Sequence, residues 1–254
     1  MAEARTPLLQ AQDLTVRFGG LTAVDQVSAD LFPGELIGII GPNGAGKTTF
    51  FNAISGVQPP TAGRLLCGGQ NLTGRPPHRF AAQGLARTFQ TPRVFADMTV
   101  HENLRFGTLF AGRGRSGPAG LQSVDDILAF LELSAHAQRP AHDITPSQQR
   151  LLEIGMALAT RPRLLLLDEV AAGLTEAEVE AMARRIRRLR DEWGLTVVWI
   201  EHAVSTLLRH VERVLVLHQG RKIADGPPSD IVRNPQVIEA YLGDTMATTG
   251  KEPA

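Results

Sequence analysis

The sequence of 254 residues contains one cysteine, Cys67, and no apolar run of the length that a membrane span requires. A single cysteine excludes an internal disulfide, and a helix that crosses a bilayer needs about 20 consecutive apolar residues. The first ten residues also lack the basic and then apolar order of a signal peptide. These absences predict a soluble, cytoplasmic chain, which can still dock on a membrane protein.

A net charge is also missing, because 26 Lys and Arg residues balance 26 Asp and Glu residues. Such a chain has no overall electrostatic attraction for nucleic acid, so we expect no nucleic-acid partner. The densest basic run, at 183–192, is a predicted helix with Ile186 and Leu189 pointing inward, which favours a solvated face over a nucleic-acid patch. Its basic residues are Arg184, Arg185, Arg187, Arg188 and Arg190.

What is present is a regular alternation of strands and helices. Short apolar runs predict strands at 8–18, 34–40, 163–169 and 196–202, and a hairpin at 213–226. Helical patterns fall between most of them. This alternation predicts an α/β fold with a mainly parallel sheet that is covered on both faces.

The pattern changes in the middle of the chain, where two helical stretches flank a glycine-rich loop. We therefore predict a single domain over the whole chain. Its core consists of residues 8–92 and 158–243, and residues 93–157 form a helical subdomain. The small, polar tail at 244–254 is expected to be frayed.

The most specific motif is GPNGAGKTT at 41–49, which has the P-loop spacing G-x-x-x-x-G-K-[ST]. It follows an apolar strand and opens a helix. Glycines let the backbone curl so that its N–H groups converge, and the helix N-terminus adds positive potential. Lys47 is expected to reach the β- and γ-phosphates, and Thr48 to bind Mg²⁺. The predicted nucleotide-binding residues here are Gly41, Pro42, Asn43, Gly44, Ala45, Gly46, Lys47, Thr48 and Thr49.

A second motif ends the strand RLLLLDE, where Asp168 and Glu169 follow four leucines. Charges at the end of a buried strand are costly unless they meet a cation or a polar ligand. Beside a phosphate loop, Asp168 fits a Mg²⁺ site through water, and Glu169 fits a general base, or at least a group that orients the attacking water. His202 ends the next strand at the same sheet edge and is a candidate γ-phosphate sensor. Lys47, Glu169 and His202 are thus the predicted catalytic residues.

In this order, the motifs resemble those of the ATP-binding subunits of ABC transporters, over about residues 8–243. The resemblance implies the ABC ATPase fold, with an N-terminal antiparallel β part beside the P-loop NTPase core, and it implies ATP and Mg²⁺ as ligands. It further implies that Phe18 stacks on adenine, that Val24 contacts the nucleotide, and that Gln90 links Mg²⁺ to the transmembrane partner.

Longer stretches, among them GLARTFQTPRVFADMTVHENL and NPQVIEAYLG, are similar to ATPases of branched-chain amino-acid importers. ATPases of urea and short-chain amide importers share much of this sequence, and they are the alternative assignment. The implied partners are transmembrane permease subunits, a second ATPase subunit and, indirectly, a periplasmic solute-binding protein. The implied location is peripheral, on the cytoplasmic face of the inner membrane.

The stretch ITPSQ at 144–148 stands where the family has its glycine-rich signature, but it contains no glycine. Thr145, Pro146 and Gln148 predict a capping box that starts a helix. In the family this helix closes over the other subunit's ATP, so Thr145, Ser147 and Gln148 are expected to contact the partner's nucleotide. Pro146 removes an N–H donor, and Ser147 adds a Cβ where close approach is needed. This predicts a heterodimer with one weak ATP site. The alternatives are a homodimer, and a branch of the family in which a signature without glycine is functional.

Three other classes match parts of the pattern. A non-transport ABC ATPase usually has tandem cassettes or a long coiled-coil insertion, and this chain has neither. The GLARTFQ stretch and the spacing of the strands ending in DE and EH argue against a P-loop kinase of small metabolites. Glu169 and His202 argue against a regulator that binds nucleotide without hydrolysing it.

Overall fold

The computed structural model describes residues 6–111, 121, 123–201 and 203–249. The strands within these ranges are β1 (Leu9–Phe18), β2 (Leu21–Leu31), β3 (Leu36–Ile40), β4 (Ala62–Cys67), β5 (Gln70–Asn71), β6 (Leu85–Arg87), β7 (Leu164–Asp168), β8 (Thr196–Ile200), β9 (Arg213–His218) and β10 (Arg221–Gly226). The helices are α1 (Lys47–Ile54), α2 (Pro77–Ala82), α3 (Val100–Thr108), α4 (Val124–Phe130), α5 (Pro146–Ala159), α6 (Glu176–Asp191), α7 (Val204–His210), α8 (Pro228–Ile231) and α9 (Pro235–Thr249).

The strands form two sheets. The larger sheet has six strands in the order β10-β9-β3-β8-β7-β6. All neighbouring pairs in it are parallel except β10 with β9, which form the predicted hairpin. The smaller sheet is antiparallel, with the order β2-β1-β4-β5. A mainly parallel core sheet with an N-terminal antiparallel part is therefore confirmed.

Alternate residues of the central strands enter two different hydrophobic cores. In β7, Leu164 and Leu166 join the core shared with β1 and α1, whereas Leu165 and Leu167 join the core shared with α4, α5 and α6. Every residue of β7 is buried. Burial on both faces explains why leucines follow one another in this strand without polar alternation.

Parallel pairing brings the carboxyl ends of three strands to one edge of the sheet. Ile39 near the end of β3 and Asp168 at the end of β7 both pair with Ile200, the last residue of β8. The loop that follows β3 and the acid that ends β7 therefore lie at the same edge. Open α/β sheets bind their ligands at this edge.

Two features differ from the sequence expectations. The strand β2 was not predicted, because the left-handed residue Gln26 (φ 52°) interrupts its alternation between buried and exposed positions. The residues after Gly243 were expected to be frayed, but the backbone of α9 is helical through Thr249. The helix is nucleated earlier, at Pro235, and extending an existing helix adds one hydrogen bond per residue.

The arginines of α6 pair with acids at the protein surface. Arg187 and Arg188 pair with Asp191 and Glu192, each one turn later along the helix. Ion pairs of this kind are expected on a solvated helix face, which is what the sequence predicted for the basic run. No helix in the described part of the chain is both long and apolar enough to cross a membrane.

Candidate functional site

The phosphate loop connects β3 to α1 and approaches its neighbours too closely for any side chain at two glycines. A Cβ on Gly41 would lie 2.1 Å from the Leu217 carbonyl oxygen, and a Cβ on Gly46 would lie 2.3 Å from that of Ala23. Both have left-handed φ angles, 152° and 95°. Glycine is therefore required here both by space and by backbone conformation.

Lys47, the first residue of α1, folds its side chain back over this loop. Its ammonium nitrogen donates hydrogen bonds to the carbonyl oxygens of Gly41, at 2.6 Å, and Pro42, at 2.9 Å. Only 7% of Lys47 is exposed. The loop thus fixes a positive charge beside a helix N-terminus, and the two together attract an anion.

A cavity of about 670 Å³ opens above the loop, a size typical of small-molecule sites. Its lining includes Phe18, which is 48% exposed and was predicted to stack on a base, and Glu169. The remaining lining residues are Leu21, Thr22, Ala23, Asn43, Gly44, Ala45, Gly46, Lys47, Thr48, Thr49, Gln219 and Gly220. Most of the loop predicted from the sequence therefore faces one space together with Phe18.

Two parts of the cavity wall were not predicted. The Gln219–Gly220 turn joins β9 to β10, and the Gly220 N–H donates to the Ala45 carbonyl at 3.0 Å. The hairpin was expected from the sequence, but nothing in the pattern showed where its turn would lie. The other part comes from β2, where Thr22 and Ala23 line the cavity. Val24, predicted to contact the nucleotide, is instead fully buried in the core, because it follows them in the strand with its side chain turned inward.

Asp168 is 4% exposed and forms an ion pair with Arg87 from the neighbouring strand β6. The guanidinium and carboxylate are 3.1 Å apart, and the same guanidinium donates to Asn52 and Ser55 at the end of α1. Burial raises the pKa of the Asp168 carboxyl above its usual value, and the Arg87 charge opposes that rise. Arg87 was not predicted as a site residue, because only the folded sheet brings it beside the acid.

Glu169 has a left-handed backbone conformation, with φ 49°, which is unfavourable for a residue with a side chain. Its N–H is held by the Ile200 carbonyl at 3.0 Å. Its carboxylate accepts a hydrogen bond of 2.8 Å from the Gln90 side-chain amide. Two residues that the sequence assigned to separate roles, metal binding and base catalysis, are therefore in direct contact.

The donor groups at this edge suit Mg²⁺ bound together with phosphate. Among the described residues, no group of three or more His, Cys, Asp or Glu side chains could hold a metal ion alone. Mg²⁺ usually keeps waters and phosphate oxygens as ligands and takes only one or two protein groups. Exposed Thr48, which lines the cavity, and Asp168, which directly precedes the cavity-lining Glu169, offer such groups.

The predicted signature residues lie away from this cavity, at the start of α5. Thr145 caps the helix, because its hydroxyl oxygen accepts a hydrogen bond from the Gln148 N–H. In return, the Gln148 side-chain oxygen accepts one from the Thr145 N–H at 3.0 Å. The predicted capping box is thus present. The Gln148 amide nitrogen also contacts His136 at 2.9 Å. His202, the predicted sensor, lies outside the described residues.

Ser147 connects the starts of two helices. Its hydroxyl lies 3.0 Å from that of Thr145, and it also helps to lower the pKa of Glu178, in the first turn of α6. Hydrogen bonds from Thr175, the backbone N–H first, lower the pKa of Glu178. An ionised carboxylate is therefore fixed beside the serine that replaces a signature glycine.

Glu153, also on α5, is buried and holds the segment that contains Gln90. We name residues 88–93 the glutamine loop. One carboxylate oxygen of Glu153 accepts from the N–H groups of Phe89, at 3.2 Å, and Arg93, at 3.1 Å. Burial raises the pKa of Glu153 to about 7, although both hydrogen bonds oppose the rise. No local sequence pattern indicates this role, because the loop lies some 60 residues earlier in the chain.

A second cavity, of about 560 Å³, lies on the far side of Arg87. We call it the subdomain groove. It is bounded by α2, β6, the glutamine loop and the end of α5, and its lining residues are Ser55, Val57, Pro77, His78, Ala81, Leu85, Ala86, Arg87, Phe89, Arg93, Phe110, Ala157 and Thr160. Val57 and Phe110 are exposed apolar residues within it.

The raised pKa of Glu153 predicts a pH-dependent stability. Between pH 4.5 and about 7 the folded state binds more protons at this group than the unfolded state, so the free energy of unfolding falls as pH rises through that window. A shift of this size corresponds to roughly 3 kcal/mol. Glu153→Gln cannot ionise, so the difference between wild type and variant in urea unfolding should change by that amount between pH 5 and 8. Glu176→Gln, at an exposed acid, serves as the control. A constant difference between wild type and Glu153→Gln would contradict the raised pKa.

Comparison with protein families agrees with the geometry of the site. The model of the family described as ABC transporter matches residues 24–172, which is more than half of the chain. A second family model, described as branched-chain amino acid ATP-binding cassette transporter, matches residues 221–247.

Two characterised proteins resemble the chain over nearly its whole length. It is 40% identical over 251 residues to LivG, a high-affinity branched-chain amino acid transport ATP-binding protein of Escherichia coli K12. It is 39% identical over 251 residues to BraF of Pseudomonas aeruginosa, which has the same description. Both alignments cover 94% of this chain and 98% of the relative.

Solved structures show the same fold. The ADP conformation of an ATP-binding cassette from an ABC transporter matches with a TM-score of 0.81 and 31% identity, covering 94% of this chain and 99% of that one. A nucleotide-free cassette matches with the same score and identity, covering 93% and 99%. With its phosphate loop, its acidic pair and these relatives, the chain belongs to the ABC transporter family, as one of the ATP-binding, ATP-hydrolysing subunits.

Proposed function

We propose that this chain hydrolyses ATP to drive import of branched-chain amino acids. The observation that carries the solute assignment is the C-terminal segment, residues 221–247, which matches the model of branched-chain amino acid cassettes. The relatives LivG and BraF, both described as transporting such amino acids, support it over the rest of the chain.

The cavity above the phosphate loop is the proposed ATP site. Phe18 offers an exposed aromatic face at its mouth for the adenine ring. The ammonium of Lys47 and the N-terminus of α1 would bind the phosphates. Thr48, Asp168 and Gln90 would hold Mg²⁺, directly or through water. The ion supplies charge neutralisation for the phosphates when it is bound.

Glu169 is the proposed general base for the attacking water. Its strained backbone and the bond to Ile200 fix where the carboxylate leaves the sheet. The Gln90 amide, which donates to that carboxylate, keeps it oriented toward the cavity. A carboxylate held in this way can accept a proton from a water that attacks the terminal phosphate in line.

Removing the proposed base should separate nucleotide binding from hydrolysis. Glu169→Gln should retain ATP binding and lose hydrolysis by about a hundredfold or more, because general-base catalysis contributes about 10²–10⁴. Lys47→Ala should lose nucleotide binding itself. Both are measured by fluorescent-nucleotide titration and phosphate release, with Glu176→Gln as an exposed-acid control.

The same variants test the solute assignment. Membrane vesicles that contain the assembled transporter should take up leucine with the wild-type chain and not with Glu169→Gln. Uptake of urea in place of leucine would overturn the assignment while leaving the ATPase role intact.

ABC transporter ATP-binding subunits work with membrane permeases, and we propose the subdomain groove as the surface that receives a permease helix. The groove combines exposed apolar residues with the basic residues Arg87 and Arg93. Its floor includes the partner of Asp168, so an occupant would contact a side chain bonded to the ATP site. Docking there would hold the chain peripherally at the cytoplasmic face of the inner membrane. A periplasmic solute-binding protein would act on the permeases from the opposite side.

Introducing a charge into the groove should weaken permease binding without affecting ATP. Val57→Asp is expected to reduce co-purification with the permeases in mild detergent by about tenfold, because a carboxylate would be buried against apolar surface. ATP binding should remain within about twofold, since Val57 does not line the ATP cavity. Val232→Asp changes an equally exposed valine outside the groove and is the matched control. Equal loss in both variants would rule out this docking surface.

We propose further that the second ATPase subunit is a different chain, and that the ATP site completed by ITPSQ is the weak one. The three side chains expected to contact the partner's nucleotide are engaged within this chain, Gln148 with Thr145 and His136, and Ser147 with the hydroxyl of Thr145. The carboxylate of Glu178 adds a negative charge beside the surface that a γ-phosphate would approach. Loss of one hydrogen bond to a charged group costs about 1.5–3 kcal/mol.

Restoring a glycine should raise hydrolysis at that weak site. In the assembly with the partner cassette, Glu169→Gln disables the site built on this chain's phosphate loop and leaves the site that α5 closes. Adding Ser147→Gly should raise the remaining hydrolysis by about one to two factors of ten. Ser229→Gly is the matched control, because Ser229 also follows a proline in the first turn of a helix. Purification with only a second copy of the same chain, or an unchanged rate, would contradict the proposal.

A further inference from the structure

The glutamine loop is held at both ends by one buried side chain. Glu153 is 6% exposed and accepts from the N–H groups of Phe89 and Arg93 through the same oxygen. These two groups lie on either side of Gln90 along the chain. The segment between them, which includes Gln90, is therefore closed into a short ring.

A second residue of α5 holds the same region from its carbonyl side. Arg150, one turn before Glu153, donates to the carbonyl oxygens of Gln90, at 3.3 Å, and Glu169, at 3.2 Å. The helix that begins at the signature, α5, thus donates hydrogen bonds through Arg150 and accepts them through Glu153. Both contacts converge on the Gln90–Glu169 hydrogen bond.

We propose that Glu153 is a positioning residue for ATP hydrolysis. By fixing Phe89 and Arg93, it keeps the amide of Gln90 on the carboxylate of Glu169, although Glu153 itself does not line the ATP cavity. Because Glu153 and the signature lie on one helix, a displacement of that helix by the partner's nucleotide would move the loop at this chain's own site. The inference rests on the proposed catalytic role of Glu169 and adds a residue to it.

Two near-isosteric variants separate the hydrogen bonds from the charge and the volume. Glu153→Gln keeps an oxygen acceptor and removes the charge. Glu153→Met fills a similar volume but leaves both N–H groups without an acceptor. Asn103→Ala is the matched control, because buried Asn103 holds the adjacent loop through Phe95, Met98 and Thr99 in the same manner.

Amide hydrogen exchange of the full chain, without ATP, is the first measurement. In Glu153→Met, exchange at Phe89 and Arg93 should accelerate by about tenfold or more, since local opening no longer breaks a hydrogen bond. It should stay within about twofold of wild type in Glu153→Gln. Asn103→Ala should accelerate exchange at Phe95 and leave the glutamine loop protected. Unchanged exchange in Glu153→Met would overturn the proposal.

Steady-state hydrolysis is the second measurement. Glu153→Met should lower kcat by about tenfold with KM for ATP changed less than about twofold, because the loop orients Glu169 and not the phosphates. Glu153→Gln should restore kcat. Equal losses in both variants, or a loss confined to KM, would overturn the positioning role.

If Glu153→Met does not fold, Glu153→Asp, which shortens the reach by one methylene, is measured instead with the same expectations. Loss of hydrolysis in Glu176→Gln as well as Glu169→Gln would contradict the base assignment and leave the exchange result valid.

Discussion

The buried strand β7 ends in one acid, Asp168, and is followed directly by another, Glu169. The need to stabilise these two carboxylates organises the rest of the site. A buried carboxylate must be paired or hydrogen-bonded, because the cost of desolvating it is otherwise several kcal/mol. Asp168 obtains Arg87 from β6, and Glu169 obtains the Gln90 amide from the loop that follows β6. Both partners therefore come from the strand that pairs with β7 or from the loop that follows that strand, so the position of β6 at the sheet edge is part of the chemistry of the site. Arg87 must in turn be held, and Asn52 and Ser55 of the phosphate-loop helix segment do so.

The two halves of the molecule contribute differently to this arrangement. All the residues that line the proposed ATP cavity belong to the core. Among the described residues, α5 connects the subdomain to the site by the polar contacts of Arg150 and Glu153 with the backbone around Gln90 and Glu169. Hydrogen bonds of this kind depend on direction, whereas apolar side chains in contact can shift slightly against each other. A rotation of the subdomain would thus change the orientation of Gln90 before it disturbed the hydrophobic core.

The sequence predicted those parts of the structure that depend on local patterns. The leucines of β7, the spacing of the phosphate loop and the capping residues Thr145, Pro146 and Gln148 each specify a local conformation, and each was found as expected. Arg87 and Glu153 could not be found in this way, because their partners come from distant segments and no local pattern marks a buried charge. The burial of Val24 could not be predicted for a related reason, since the side of a strand that faces a cavity depends on register, and the irregular alternation of β2 obscures that register.

The start of α5 shows that capping a helix and binding a ligand are separable tasks. The capping box satisfies the backbone groups at the helix start within the chain itself, and proline in the first turn needs no N–H partner. Nothing in folding therefore requires glycine at Ser147. Binding a second subunit's phosphate has different requirements, namely close approach, free donors and the absence of negative charge. Here the side chain of Gln148 is used by the cap and by His136, and the hydroxyl of Ser147 by that of Thr145. A helix start that is this complete on its own has few donors left to offer across an interface, and this is the physical basis for placing the weaker of two ATP sites there.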